Sequence, residues 1–266
     1  AGARGRVGPV PLKAMGRFRH EAVAIDPRTL IAYETEDQYG RALFYRFLPN
    51  VPGQLVEGGQ LQALAVRGRP GLDVRNWEGT SIQPGEWVDV EWVDLDDPEA
   101  PNADLAARGI AAGAAHFTRG EGIWWGENEC YFACTDGGPE HLGQIWRYQP
   151  SPAEGEAGEA ASPGRLQLFF ESSDAAVMDK CDNLCVAPWG DLIVVEDGDE
   201  DQYIRGVTPN GEVYTIGRNA ASGPDGQKSE ICGPCFSPDG STLFFNVQRH
   251  PGRTFAVRGP WPARSS

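Results

Sequence analysis

The sequence predicts an all-β protein, a β-propeller of which about four blades can be recognised. Its 34 Gly and 21 Pro residues against 2 Met indicate many turns between short strands, and no long stretch has the periodicity of an amphipathic helix. A repeated pattern decides the architecture, because each repeat forms one unit that packs on its neighbours. Four segments show the pattern, at residues 20–50, 120–150, 182–217 and 230–261.

Each segment consists of a short apolar strand, a tight turn, a second strand, a polar loop and a third strand. Three antiparallel strands, often with a fourth, make up one propeller blade. We therefore expect a single propeller domain over residues 1–266. The expected fourth strands lie at residues 61–66, 166–170 and 212–216.

Two stretches interrupt the repeat. Residues 69–117 are an expected insertion between blades, with an acidic strand and loop (EWVDVEWVDLDDPEAP) and an Ala-rich stretch (ADLAARGIAAGAA) that predicts a short helix. Residues 154–164 (EGEAGEAASPG) have the low complexity of a flexible linker between two strands of one blade.

The charge of the chain limits its partners. Its 38 acidic and 23 basic side chains give a net charge of −15, which argues against nucleic acid and favours carboxylates committed to cations. No run of about 18 apolar residues predicts a membrane span. The start AGARGRVGPVPLK lacks the apolar region of a signal peptide and resembles the middle of a longer protein.

Six cysteines form three close pairs, and their chemistry stays open at this stage. Disulfides would suit an exported protein, whereas metal or redox chemistry would suit a reduced compartment. Cys130 and Cys134 lie in one predicted strand, where residues i and i+4 are separated by roughly 13 Å, too far for a bridge. Small buried thiols that pack between sheets are the favoured interpretation. The pairs are Cys130/Cys134, Cys181/Cys185 and Cys232/Cys235.

Carboxylates stand at the starts of the four predicted inner strands. In a propeller these strands line the central channel, so polar residues at their starts converge. A single carboxylate there is usually a solvated loop charge, but four in register would repel one another unless a cation neutralised them. Oxygen ligands suit Ca²⁺ or another di- or trivalent ion. The predicted metal ligands are Glu21, Glu121, Asp182 and Glu230, with the Asn183 amide oxygen as a further candidate.

Arg119 stands two residues before Glu121 in the R-G-E-G motif of residues 119–122. A guanidinium group has a planar set of donors that can bind two oxygens of one phosphate or carboxylate. Spacing alone leaves two interpretations open for Arg119: a ligand for an anionic substrate, or a structural ion pair with one of the glutamates.

Five stretches, taken together and in order, carry a resemblance to a known family. They are MGRFRHEAVAIDPRTLIAYETED, RGEGIWWGENECYFACTDGG, GQIWRYQP, DNLCVAPWGDLIVVEDG and GPCFSPDGSTLFFNVQRHPGRTFAVRGPW. The set resembles the C-terminal half of the PhoX-type bacterial alkaline phosphatases. The similarity covers most of the chain apart from the insertion and the Gly/Ala/Glu linker.

The resemblance implies a six-bladed ring, hydrolysis of phosphate monoesters, and a cluster of Ca²⁺ with Fe³⁺ on the axis. It implies that Arg119 binds the substrate phosphate and that Glu121 binds metal, so these two are the expected catalytic residues. It also implies Glu21, in the G-R-F-x-H-E motif, as a metal ligand, with Asp182 and Glu230 as ligands from later blades. A periplasmic or secreted location is implied in the same way.

The sequence departs from the family pattern in two respects. The cysteine that binds metal in the family precedes the G-R-F-x-H-E motif, whereas no cysteine here precedes Met15. Only about four of the six expected blades are visible. The remaining part of the ring is expected from a missing N-terminal half or from a partner subunit.

Two other functions are compatible with the residues. A Ca²⁺-dependent propeller lactonase or esterase would use Glu21, Glu121 and Asp182 around one ion, although Arg119 suits an anion better than a neutral lactone. A non-catalytic propeller would bind Ca²⁺ for stability and a partner on a Trp-rich surface. The tryptophans concerned are Trp124, Trp125 and Trp146, for which packing between blades is the favoured interpretation.

Overall fold

The computed structural model describes residues 8–220, 222, 226 and 228–262. Its first part contains β1 (His20–Ile25), β2 (Ala32–Glu36), β3 (Phe44–Pro49), β4 (Gly59–Val66), β5 (Trp87–Asp94) and α1 (Leu105–Ala111). Then follow β6 (Gly120–Trp125), β7 (Cys130–Cys134), β8 (Gln144–Gln149) and β9 (Arg165–Glu171). The last part contains β10 (Cys181–Val186), β11 (Leu192–Glu196), β12 (Gln202–Val207), β13 (Val213–Asn219), β14 (Ile231–Phe236), β15 (Thr242–Val247) and β16 (Arg253–Arg258).

These strands form four antiparallel blades, which confirms the predicted all-β propeller fold. Blade 1 is β1–β4, blade 2 is β6–β9, blade 3 is β10–β13 and blade 4 is β14–β16. Within each blade every strand pairs antiparallel with the next in sequence. The innermost strands β1, β6, β10 and β14 are neighbours in that order.

Strand β5, within the stretch predicted as an insertion, connects two blades. On one edge it pairs with β4, with Ala63 opposite Val93, and on the other it pairs with β9, with Val88 opposite Leu166. Blades 1 and 2 therefore belong to one sheet of nine strands, in the order β1-β2-β3-β4-β5-β9-β8-β7-β6. Because β5 pairs with the outer strands of both blades, neither outer strand has an edge free along this pairing to bind another molecule.

Apolar side chains fill the spaces between successive blades. Phe44 of blade 1 stacks on Phe132 of blade 2, with the ring centroids 4.2 Å apart. Ala133 and Leu184 share the buried cluster between blades 2 and 3, and the corresponding cluster between blades 3 and 4 includes Ile193. Burial of both faces explains why β2 and β11 have no exposed side chain.

Most of the cysteines and tryptophans singled out above serve in packing. Trp146 is fully buried and Trp125 packs against the same core, whereas Trp124 is 37% exposed. All six cysteines are free thiols, and those of the first two pairs are buried. Burial raises the pKa of Cys181, which keeps it protonated and unreactive.

The segment 154–164, for which the sequence predicts flexibility, is anchored to blade 1. It contains a short 3-10 helix at Glu159–Ala161, and the Glu154 side chain is buried. The Glu154 carboxylate accepts hydrogen bonds from Arg46 at 2.6 Å and from Tyr148 at 2.8 Å. Low complexity does not produce a free linker here, because this carboxylate neutralises a buried arginine.

Both ends of the blade series expose apolar side chains. On β1, Val23 and Ile25 are 56% and 44% exposed, and Phe255 on β16 is 39% exposed. In a propeller such faces are normally covered by the next blade.

None of the helices among the described residues is long and apolar enough to cross a lipid bilayer.

Candidate metal and phosphate site

Three inner strands carry a β-bulge at the same place, and a carboxylate lies on each bulge. The pairing with the second strand slips by one residue between positions 20 and 23, between 120 and 123, and between 181 and 184. A bulge sets two residues against one on the partner strand and turns a side chain in a new direction. The carboxylates at these bulges are Glu21, Glu121 and Asp182.

Glu230 occupies a different position in its blade. The carbonyl groups of Arg19, Arg119, Lys180 and Glu230 each accept the N–H of the residue that follows the second strand. Glu230 is therefore equivalent to Arg119, and the residue of blade 4 that corresponds to Glu121 is Cys232. The expectation of four carboxylates in register was wrong for Glu230, because register depends on strand pairing, which spacing in sequence does not reveal.

The four predicted ligands nevertheless approach one another in two pairs. The carboxyl groups of Glu21 and Glu121 lie within hydrogen-bonding reach of each other, and so do those of Asp182 and Glu230. Burial, followed by the charge of Glu121, raises the pKa of Asp182. Burial and the charge of Asp37 raise the pKa of Glu121. Glu121 and Asp182 are each only 5% exposed, so water screens this repulsion poorly.

Arg119 lies among these carboxylates. Its Nε donates to Asp37 at 3.0 Å and its Nη2 donates to Glu121 at 2.8 Å, while Asp197 stands 4.0 Å from Nη2. Burial lowers the pKa of Arg119, but the hydrogen bond to Asp37 and the nearby acidic charges outweigh burial and raise it. Arg119 also has a positive φ of 38°. Residues other than glycine rarely adopt this conformation, and those that do are often found at functional sites.

Asp37 and Asp197 belong to the site although the sequence reasoning missed them. Each directly follows the second strand of its blade, and its N–H binds the carbonyl that precedes the inner strand. Burial and the charge of Glu230 raise the pKa of Asp197 to about 6. A signal was present in the sequence: the dipeptide Glu-Asp occurs at 36–37 and again at 196–197, at equivalent places in blades 1 and 3.

The two glycines of the R-G-E-G motif allow the main chains of three blades to approach one another closely. A Cβ atom on Gly122 would lie 2.6 Å from the Cα of Asn183, and one on Gly120 would lie 3.2 Å from the main chain of Glu36. Inner strand β6 therefore contacts blade 3 on one side and blade 1 on the other. Any larger residue would push Glu121 away from the carboxylates of those blades.

Asn183 plays a different part from the one considered above. Its Nδ2 donates to Asp182 at 2.9 Å, and its Oδ1 accepts the N–H of Gly233 in blade 4 at 2.8 Å. The amide oxygen is therefore already engaged. Asn183 connects blades 3 and 4 and holds the Asp182 carboxylate in place.

The donor chemistry of this cluster fits a hard cation. Carboxylates from several strands surround a single guanidinium group, and burial together with the charges of neighbouring carboxylates raises the pKa values of Glu121 and Asp182. Oxygen donors of this kind are the ligands of Ca²⁺. As the side chains lie, no three His, Cys, Asp or Glu groups in the described part of the chain are already close enough together to hold an ion.

Comparison with known protein families shows which family this chain belongs to. A family model described as alkaline phosphatase PhoX matches residues 2–252. The chain belongs to the PhoX alkaline phosphatase family. This confirms the resemblance found in the sequence, and places the R-G-E-G motif and all four predicted ligands of the PhoX family chain within the matched region. No curated protein sequence matches it.

Solved structures show only distant likeness to this PhoX family chain. A protein from Lactobacillus plantarum is 10% identical, with a TM-score of 0.41, and the match covers 92% of this chain. This chain spans 57% of the length of that protein. A gluconolactonase from Xanthomonas campestris is 13% identical, with a TM-score of 0.36 and coverage of 90% and 72% of the two chains. The calcium-binding protein regucalcin from Agrobacterium tumefaciens is 12% identical, with a TM-score of 0.34 and coverage of 89% and 84%.

Proposed function

We propose that this chain carries the catalytic site of a metal-dependent phosphomonoesterase of the alkaline phosphatase type. The observation that carries the proposal is the contact of Arg119 with Glu121, whose carboxylate lies near those of Glu21 and Asp182 from other blades. Membership of the PhoX family supports the same reaction. The site therefore combines a donor for a phosphate group with ligands for a cation.

In this proposal Arg119 binds the phosphate of the substrate. Its Nε and Nη2 are held by Asp37 and Glu121, and its Nη1 has no partner among the described residues. The guanidinium plane is thus fixed by two carboxylates while donors remain for phosphate oxygens. Fixed donors stabilise the charge on the equatorial oxygens without reorganising during the reaction.

The proposed cations are Ca²⁺ and, in addition, Fe³⁺. Glu21, Glu121, Asp182 and Glu230 would hold them, with Glu121 in contact with both cation and Arg119. Bound there, such ions supply Lewis-acid polarisation of the phosphoryl group. Glu121 and Arg119 are the proposed catalytic residues, and Thr35 and Asn183 position Glu121 and Asp182.

We further propose that additional blades complete the ring, from a preceding half of the protein or from a partner subunit. The apolar side chains exposed on β1 and β16 are the surfaces that such blades would cover. A periplasmic or secreted location is proposed from the family alone. The proposed substrate is a small phosphate ester, and the net charge of −15 disfavours nucleic acid.

The proposal is tested by hydrolysis of p-nitrophenyl phosphate in CaCl₂, together with metal analysis of the purified protein. Arg119→Ala should lower kcat/KM by at least about a hundredfold, as loss of a fixed charged donor usually does. Arg147→Ala is the matched control, because Arg147 is similarly exposed (28% against 25%) and also pairs with a glutamate. Glu121→Ala should lower both metal content and activity.

Other outcomes would assign a different function. Hydrolysis of lactones but not of phosphate esters would favour the lactonase. Calcium binding that raises the melting temperature without any hydrolysis would favour a non-catalytic propeller. Equal activity of Arg119→Ala and Arg147→Ala would exclude Arg119 from catalysis.

A further inference from the structure

A basic pocket of about 450 Å³ lies beside the candidate site, between blade 1 and helix α1. Its wall on the blade side includes Glu36 and Gln38, and Ala106 of α1 lines the opposite side. Three arginines line the same pocket, Arg17, Arg19 and Arg41. The pocket is large enough for a carboxylate or phosphate group together with the carbon chain that carries it.

Main-chain hydrogen bonds connect this pocket to Arg119. The N–H of Asp37 donates to the carbonyl of Arg19 at 2.9 Å, and the N–H of Arg119 donates to the carbonyl of Gln38 at 3.1 Å. The Asp37 carboxylate in turn binds Nε of Arg119 at 3.0 Å. Residues 37 and 38 are therefore hydrogen-bonded both to Arg19, which lines the pocket, and to Arg119.

Two of the three arginines are free to bind a ligand. Arg19 and Arg41 are exposed, and neither has an ion pair or side-chain hydrogen bond within the described part of the chain. Arg17 is held in place by the carbonyls of Ala100 and Pro101, each 3.1 Å from its Nη1. Exposed arginines that face a pocket without carboxylate partners are unusual in a chain with a net charge of −15.

One acidic group also faces the pocket. The Oε2 atom of Glu36 accepts hydrogen bonds from the Tyr45 hydroxyl at 2.8 Å and from the Leu43 N–H at 3.0 Å. Even with this carboxylate ionised, the three arginines leave the pocket positive. The pocket is therefore suited to an anion, and its lining residue Gln38 is hydrogen-bonded to the main chain of Arg119.

We propose that this pocket is a second anion subsite, and that the preferred substrates are phosphate monoesters whose alcohol part carries a carboxylate or a second phosphate. The inference rests on the proposed phosphomonoesterase. Water displaces the alcohol at phosphorus, the P–O ester bond breaks, and the alcohol leaves with a proton, so the second anion remains on the alcohol product. Arg19 and Arg41 bind this anion while Arg119 binds the phosphate being removed.

The test compares glycerol phosphate with 3-phosphoglycerate, which share a three-carbon skeleton but differ by one carboxylate. In the wild type, kcat/KM should be roughly tenfold higher for 3-phosphoglycerate, as expected for charge-assisted hydrogen bonds at an exposed site. The double variant Arg19→Gln/Arg41→Gln should lose this preference while keeping its activity on glycerol phosphate. Arg253→Gln, at an exposed position on β16, is the control and should keep the preference.

The dissociation constants of both esters, measured by calorimetry in CaCl₂, separate this inference from the proposed function. Equal kcat/KM and equal affinity for the two esters would overturn the subsite and leave the phosphatase intact. If neither ester is hydrolysed, the proposed function fails, and the measured affinities alone then test the anion subsite. Tighter binding of 3-phosphoglycerate that disappears in the double variant would then support the subsite, and absent or equal binding would reject it.

Discussion

The hydroxyl group of Thr35 in blade 1 donates a hydrogen bond to the main-chain carbonyl oxygen of Glu121 in blade 2. The same hydroxyl oxygen accepts the N–H of Ala22, 3.1 Å away, at the bulge of β1. Thr35 is 1% exposed, so water cannot replace a lost partner. One buried hydroxyl thus connects the two bulges that carry Glu21 and Glu121.

Replacing Thr35 with valine, which has the same shape, should destabilise the protein. The change leaves the Glu121 carbonyl and the Ala22 N–H without this partner, and we expect the free energy of unfolding to fall by about 2 kcal/mol. Thr35→Ser keeps the hydroxyl and should cost much less. Urea denaturation of both variants measures the difference. A valine variant as stable as the serine variant would mean that the hydroxyl does not join the blades.

Gly122→Ala should be one of the more damaging single-methyl additions in this chain. The new Cβ would stand 2.6 Å from the Asn183 main chain, which cannot rotate away as a side chain can. We expect a loss of about 2–3 kcal/mol in the free energy of unfolding. Gly158→Ala is the matched control, because its φ is −83° and its nearest neighbour would be 3.4 Å away. Similar stability of the two variants would contradict the close approach of β6 and β10.

The stability contributed by Glu36 should depend on pH. Burial raises the pKa of Glu36 to about 7 despite its hydrogen bonds from Tyr45 and Leu43. Between pH 4.5 and 7 the folded state therefore keeps a proton that the unfolded state has released. Relative to pH 4.5, the protein loses stability as the pH rises to 7, and the loss is constant above that.

Glu36→Gln removes this dependence and keeps an oxygen acceptor for both donors. The variant should gain stability over the wild type as the pH rises from 4.5 to 7, by at most about 3 kcal/mol. Thermal or urea unfolding at several pH values measures the difference, with the exposed Glu91→Gln as control. A difference that does not change with pH would show that Glu36 is ionised throughout this range.

Glu154→Ala should loosen the segment 154–164. It removes a carboxylate that pairs with Arg46, whose side chain is 2% exposed, and leaves that charge partly uncompensated. We expect the free energy of unfolding to fall by about 3 kcal/mol, and a glutamyl protease to cleave the segment faster. Glu156→Ala, at an exposed position two residues away, should change neither. Equal cleavage rates in the two variants would support the flexible linker that the sequence predicts for residues 154–164.

Much of the fold was predictable because it depends on local chemistry. Tight turns and short apolar strands recur in the printed sequence, so the four blades could be recognised without coordinates. The same holds for Glu21 and Glu121, which lie at strand starts in recognisable motifs. Asp37 could not be predicted from the pattern of carboxylates at the starts of inner strands, because it lies at the end of a second strand.

The amino-acid sequence by itself determined the blade repeat, the family, and four of the acidic residues of the candidate site. Only the tertiary structure decided that β5 joins two blades, that Glu154 is anchored, and that Glu230 is equivalent to Arg119. The reason is physical: strand length and turn type follow from neighbouring residues, but bulges, register and ion pairs depend on contacts between residues far apart in the chain.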